Sequence, residues 1–253
     1  VIVGQRGSIP AATDVTVYRA TVRDDPSLIT LLDERETARL AQLRRPADRL
    51  RFVTVHALAR LALATRVATD PRLLSFTATC GTCGGAHGKP ELPGGPPFSL
   101  STAAGMVLVA IGGGAPVGVD VEAAAAADFD GFDEVALTAA ERAVVAGTAA
   151  ELRANVRTGY WVGKEAVLKA AGRGLALAPN RLELAAPGER PRVPRRPIGL
   201  PDPVQLEILP LGAEYQAALA VLSDRPPSVR LTDGGSLLNG WEAPAAPART
   251  ATR

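Results

Sequence analysis

Lysine is almost missing from this chain: Lys89, Lys164 and Lys169 are the only three among 28 Lys plus Arg. Sulfur and imidazole are as scarce, with two Cys, one Met and two His in 253 residues. So few cysteines exclude a disulfide scaffold and fit a reducing, cytoplasmic setting. Cys80-x-x-Cys83 followed by His87 invites a zinc reading, but only His56 is left as a further ligand, and the partner half of a structural zinc site is missing. A redox Cys-x-x-Cys belongs at a helix start, whereas this one lies in a glycine-rich loop. Aromatics make up 4%, so the core implied by 47% apolar residues has to be built from Leu, Val and Ala. A net charge of +2 and a pI near 8.7 give no nucleic-acid footprint. The longest uncharged run, residues 100–119, is broken by Gly112–Gly114 and Pro116, which excludes a membrane span there. No charged segment followed by an apolar one opens the chain, so no secretory leader is expected in it.

What is present concentrates in residues 159–175, GYWVGKEAVLKAAGRGL. Two of the three lysines fall there. In so arginine-rich a chain, a retained lysine suggests a task that a guanidinium does poorly, such as releasing a proton or meeting phosphate as a compact charge. On a helix Trp161, Glu165 and Lys169 share one face and Lys164 lies about 100° to the side. An apolar stripe runs separately through Leu152, Val156, Val167 and Ala170. An exposed Glu-Lys pair at i, i+4 would explain the charges equally well. A second acidic element stands at Gly118-Val-Asp-Val-Glu122, where alternation puts Val117, Val119 and Val121 into a core and Asp120 and Glu122 on the opposite face. Two carboxylates so placed repel, and a hard cation on oxygen ligands would compensate them. A solvated acidic strand end is the other reading.

Gly118 to Glu122, followed roughly forty residues later by Trp161-Val-Gly-Lys-Glu-Ala-Val-Leu-Lys169, closely resembles the two-part signature of the 4'-phosphopantetheinyl transferases. The subgroup resembled is the larger, single-chain, Sfp-type one that activates carrier proteins of polyketide, nonribosomal peptide and fatty acid synthesis. Residues 80–90 and 98–102 extend the likeness, which covers roughly residues 40–222. It implies an enzyme of the holo-(acyl-carrier-protein) synthase type, moving phosphopantetheine from coenzyme A to a serine of an apo acyl or peptidyl carrier protein and releasing adenosine 3',5'-bisphosphate. Mg²⁺, with Mn²⁺ as an alternative, would be held by Asp120, Glu122 and Glu165. Glu165 would also take the serine proton, and Lys169 would stabilise or protonate the leaving phosphate. Lys89, Ser101, Thr102, Lys164, Lys169 and Arg49 would bind coenzyme A. Arg49 belongs to a basic cluster with Arg39, Arg44 and Arg45 that a solvated helix end would also explain, and Lys89 follows Gly84, Gly85 and Gly88, where a turn lysine in water is the alternative. Thr102 departs from the pattern, since relatives carry His there. A coenzyme A or carrier-protein binder without transferase activity, and a Mg²⁺-dependent phosphate-cleaving enzyme, are the other classes these residues allow. No nucleic-acid or membrane partner is expected, and a monomer is.

The rest of the chain reads as α+β. Residues 15–22 alternate like a strand, 26–43 look helical, and Pro46 opens a helix to about Val67 with Leu50, Val53, Ala57, Leu58 and Leu61 buried. Strands are expected at 73–79 and 182–184, and Met106–Ile111 and Val117–Glu122 read as a hairpin-like pair about the triple glycine. Thr138-Ala-Ala-Glu141 is a capping-box helix start. Residues 185–203 are Pro-rich and carry Arg190, Arg192, Arg195 and Arg196, as a basic linker or a surface for an acidic carrier protein. Val204–Leu209 and Tyr215–Leu222 close the sheet, and a poorly ordered tail is expected over 226–253. The resemblance adds an architecture that periodicity cannot supply: two similar α+β halves, 1–112 and a metal-carrying 115–225, about a pseudo-twofold axis with coenzyme A between them.

Overall fold

The structure, a computed structural model, describes residues 13–79, 84–85, 88–127, 129–172, 174 and 177–243. Cys80, Cys83 and His87 lie outside them. The fold is α+β, in four layers. The first sheet holds β1 (Asp14–Thr21), β2 (Phe98–Ala103), β3 (Met106–Gly112) and β7 (Ser228–Asp233) in the order β2-β3-β1-β7. The second holds β4 (Val117–Ala123), β5 (Gln205–Ile208) and β6 (Tyr215–Val221) in the order β4-β6-β5. Between the sheets lies a core of Val15, Val17, Leu108 and Ala110 from one side and Val117, Val119, Val121 and Leu219 from the other. The three valines of β4 therefore face inward as their alternation requires.

Helices cover the two outer faces. α2 (Pro46–Val67) packs on the first sheet, and α1 (Glu34–Gln42) packs against α2. α5 (Ala150–Ala170) packs on the second sheet, and α3 (Phe132–Ala136) and α4 (Ala139–Gly147) complete the apolar cluster around it. Local chemistry sets their ends. Pro46 stands at the start of α2, where its missing N–H costs nothing. Asp33 and Glu36 close a capping box on α1, and Thr138 and Glu141 close another on α4. Each half runs strand, helices, strand, strand, and in each the last strand pairs antiparallel with the other two.

Several expectations are corrected. β3 and β4 do not form a hairpin: β1 and β2 take both edges of β3, so residues 113–116 carry the chain to the other sheet. Residues 73–79 and 182–184 contribute only isolated bridges, Thr77 with Glu91 and Glu183 with Arg195. The tail expected from residue 226 is instead partly regular. β7 pairs parallel with β1 from Asp14 opposite Ser228 to Arg19 opposite Asp233, and α6 (Gly235–Asn239) buries Leu238 in the first core. Composition pointed to a tail because Pro, Gly and Ala dominate there, while Val229 and Leu231 find apolar neighbours only through the distant pairing.

Candidate active site

α5 lies against β4 because β4 has a glycine at the crossing. A Cβ on Gly118 would stand 2.0 Å from the Ala166 carbonyl oxygen and 2.3 Å from the Ala170 nitrogen, so only glycine admits the helix backbone. This contact brings Glu165 and Lys169 beside the polar face of β4. Asp120, Glu122, Glu165 and Lys169 line one cleft of about 400 Å³ with Ser101, Thr102 and Leu100 from β2, Val55 and His56 from α2, and Trp161 from α5.

Ser101 is the joint of the cleft. Its Oγ donates to Asp120 Oδ1 at 2.7 Å, while the Val121 N–H at 3.2 Å and Lys169 Nζ at 3.2 Å donate to it. Ser99 Oγ likewise accepts the Val119 N–H at 3.1 Å. Hydroxyls of β2 thus satisfy the edge of β4, and the two sheets meet without sharing a backbone ladder. Lys169 Nζ lies 2.6 Å from Asp120 Oδ1. The other oxygen, Asp120 Oδ2, and Glu165 Oε1 are buried without a hydrogen-bond partner.

The carboxyls are strained electrostatically. Burial, then the charge of Asp120, pushes the Glu122 carboxyl above the usual range, against Lys169 and a hydrogen bond from Trp161. Burial does the same to Glu165, where Lys169 opposes it and Asp120 adds to it. Among the described residues no three His, Cys, Asp or Glu are gathered as a finished metal cluster. The donor set nevertheless suits a hard cation: oxygen ligands only, two of them buried and unpartnered.

Asp120, Glu122, Glu165, Lys169, Ser101 and Thr102 thus line one cleft, and Lys164, Lys89 and Arg49 do not join them. Lys164 is 0% exposed and lies inside the second core. Its Nζ donates to Glu141 Oε2 at 2.5 Å, Ala136 O at 2.6 Å and Pro179 O at 3.0 Å, which uses all three of its hydrogens. It cannot meet a ligand phosphate; it ties α5 to α4 and to residue 179. Lys89 Nζ donates to the Val117 carbonyl at 2.6 Å, and burial pulls its pKa down to about 8 against the charge of Glu91. Arg49 Nη1 donates to Leu40 O at 2.7 Å. Neither lines the cleft.

His56 is the cleft residue that sequence reasoning passed over, having weighed it only as a zinc ligand. Its Nδ1 lies 2.7 Å from Glu36 Oε1, and its ring stacks on Phe52 with centroids 4.0 Å apart. Glu36 Oε2 accepts Arg60 Nε at 2.7 Å and the Asp33 N–H at 3.0 Å. Burial acts to raise the Glu36 pKa, but His56, the Asp33 N–H and Arg60 together hold it below the usual range. A rare histidine on an otherwise apolar and arginine-bearing helix was the available signal.

Residues 116–220 match a family described as the 4'-phosphopantetheinyl transferase superfamily. A protein of Synechocystis sp., named as a putative 4'-phosphopantetheinyl transferase, is 27% identical over 162 residues, which are 62% of this chain and 63% of that protein. The chain thus matches somewhat less than two thirds of this relative's length. Among solved structures, holo-(acyl-carrier-protein) synthase of Thermotoga maritima overlaps 44% of this chain and 64% of its own at 22% identity and a TM-score of 0.37. A Bacillus anthracis holo-(acyl-carrier-protein) synthase, solved in complex with CoA (3',5'-ADP), overlaps 43% and 95% at 25% identity and a TM-score of 0.38.

Proposed function

We propose that this chain, which matches the 4'-phosphopantetheinyl transferase superfamily over residues 116–220, moves the 4'-phosphopantetheine group of coenzyme A to a serine of an apo acyl or peptidyl carrier protein. Adenosine 3',5'-bisphosphate is the leaving product. One observation carries the reading: in the cleft, Asp120 and Glu165 each keep a buried oxygen without a partner, beside Glu122 and Lys169. Asp120, Glu122 and Glu165 are assigned as ligands of Mg²⁺, with Mn²⁺ accepted by the same oxygen chemistry. When bound, the cation would neutralise charge on the pyrophosphate as the leaving group departs.

The chain's own residues account for orientation and proton movement. The serine oxygen forms a bond to the phosphorus that carries pantetheine, and the bond from that phosphorus to the bridging oxygen breaks. Glu165, whose raised pKa makes it a better base than a surface carboxylate, takes the serine proton directly or through water. Lys169 stabilises the departing phosphate and can give it a proton, which an arginine in its place could not. Ser101 holds Asp120 and Lys169 in register rather than contacting the donor first. Thr102 offers the donor phosphates a neutral hydroxyl, and the loss of one charge-assisted bond costs about 1 kcal/mol of binding. The repeated strand and helix order supports reading 1–112 and 115–225 as halves about a pseudo-twofold axis, with the donor between them. We place the chain with the single-chain, Sfp-type enzymes of polyketide and nonribosomal peptide synthesis, as a cytoplasmic monomer.

Thr102 also favours a second reading, a binder of coenzyme A or carrier protein that transfers nothing. Intact-mass spectrometry of an apo carrier protein incubated with this protein, coenzyme A and Mg²⁺ separates the two. A phosphopantetheine-sized gain that a chelator abolishes is expected; no gain across several carrier types, with coenzyme A still bound, leaves only the binder.

A further inference from the structure

A second concavity, of about 280 Å³, lies apart from the cleft and is lined by Asn180, Arg181, Arg195 and Arg196. Three guanidinium groups face one space with no carboxylate in its wall. Their own pairings leave much of that charge open to an incoming group. Arg181 is exposed and has no ion-pair partner among the described residues. Arg195 Nε stands 3.5 Å from Glu183 Oε2, beyond a normal hydrogen bond, and its side chain is largely exposed. Arg196 is half-buried and held by Asp202, which accepts its Nη2. Arg190 and Arg192 of the same basic segment are not in the wall, and Arg192 lies 3.8 Å from Glu189.

The frame of this concavity is also the frame of the cleft. Asn180 Nδ2 donates to Glu134 O on α3 at 2.8 Å, and two residues earlier Phe132 meets the cleft residue Trp161 edge-on, with centroids 5.8 Å apart. Pro179 O accepts Lys164 Nζ from α5, beside Glu165 in the chain, and the Glu183 N–H donates to Arg195 O at 2.9 Å, joining the two arginine-bearing segments. Ile198, two residues beyond Arg196, and Val135, next to Glu134, are exposed apolar side chains. Arginine beside exposed apolar groups, with no aromatic platform for a base, is the composition of a protein-recognition surface.

We infer that the concavity of Arg181, Arg195 and Arg196 docks a carboxylate-bearing surface of the protein acceptor, and sets acceptor affinity without touching the phosphate donor. That the partner is the acceptor rests on the transferase reading. The cleft cannot attract such a surface itself, because three carboxylates line it against a single lysine that is engaged with Asp120. Charge recognition of an acidic partner therefore has to come from outside the cleft, and guanidinium groups meet carboxylates in paired, charge-assisted bonds. A partner patch of ordinary size, about 800 Å² a side, is wide enough to cover the concavity while its serine enters the cleft.

The test compares the wild type with the double variant Arg181→Glu, Arg195→Glu, whose two side chains are exposed and whose melting temperature should match. Initial rates of transfer to an apo acyl carrier protein with an acidic surface are read by intact mass, at about 0.05 M and about 0.5 M salt. At low salt the KM for the carrier should rise about tenfold or more in the variant, with kcat and calorimetric coenzyme A affinity unchanged. Wild-type KM should rise with salt, and the variant's should not. Equal KM values and equal salt profiles overturn the inference and leave the transferase reading in place. Weakened coenzyme A binding in the variant, with carrier KM unmoved, assigns the arginines to the donor and also overturns it. So does a loss of inorganic phosphate binding alone, which would mark a site for a free oxyanion. If the wild type transfers nothing, calorimetric binding of the same carrier decides: binding that the variant loses keeps the docking site and overturns the transferase reading, and no binding overturns both.

Discussion

The three lysines show how little a residue's rarity says about its task until its acceptors are known. Lys164 and Lys169 are five positions apart on α5, yet one is sealed in the core and the other lines the cleft. Burial lowers the Lys164 pKa, while the charge and hydrogen bond of Glu141 and the charge of Glu183 work against that shift. Glu141 is 1% exposed and also accepts the Thr138 and Leu184 N–H groups at 2.7 and 2.9 Å. Removing one member of such a pair leaves the other charged and dry, at a cost of about 3–5 kcal/mol. Lys164→Met is therefore expected to lower the melting temperature strongly. In Lys169→Met the lysine lost is 29% exposed and Asp120 keeps Ser101, so the melt should move far less. Transfer activity should follow the opposite order per folded molecule, abolished in Lys169→Met and retained in Lys164→Met at a temperature where it is folded. Side-by-side melts and intact-mass assays decide this, and a stable, inactive Lys164→Met would return that lysine to the site.

At the scale of elements, the site depends on how closely α5 approaches β4. Gly118→Ala places a methyl carbon inside the contact distance of helix backbone, which cannot rotate away as a side chain could. The helix has to shift, carrying Glu165 and Lys169 away from Asp120. A cost of about 1–3 kcal/mol is expected from overpacking, with transfer lost beyond what the lower stability explains. A Gly118→Ala protein with wild-type melt and turnover would show that the close approach is not needed. The alternation around this glycine was legible: valines inward, carboxylates outward, and a helix bearing Glu165 and Lys169 at the right spacing. Lys164 was misplaced because its position follows from acceptors on α4 and at residue 179, which no periodicity on α5 reveals. The β3-β4 hairpin and the tail beyond 225 failed for a related reason. Strand partners are chosen across long sequence separations, and local alternation names a strand without naming its neighbour.

For the molecule as a whole, the cleft and the rest of the fold pull stability in opposite directions with pH. Glu36 has its pKa lowered, so the stability it contributes is present above the ordinary carboxylate value and is lost as pH falls through its folded value. Glu122 and Glu165 have theirs raised above the ordinary 4.5, so their contribution is present below that value and is lost as pH rises through the folded ones. Without a divalent cation, two half-buried like charges therefore weaken the protein at neutral pH, a cost set by the site and not by the cores. Glu165→Gln removes one of those charges and keeps the shape. Its melting temperature in chelator should rise by a few degrees over wild type near neutral pH, and the gain should vanish toward the acid side, where the wild-type carboxyl is already protonated. Transfer should be abolished in the same variant. A lower melting temperature at neutral pH would mean that the ionised Glu165 is stabilising without a cation, and unchanged turnover would remove it from the proton transfer. The expected pairing, greater stability with no activity, is the one that follows if the cleft holds its carboxylates apart from their partners for the sake of chemistry.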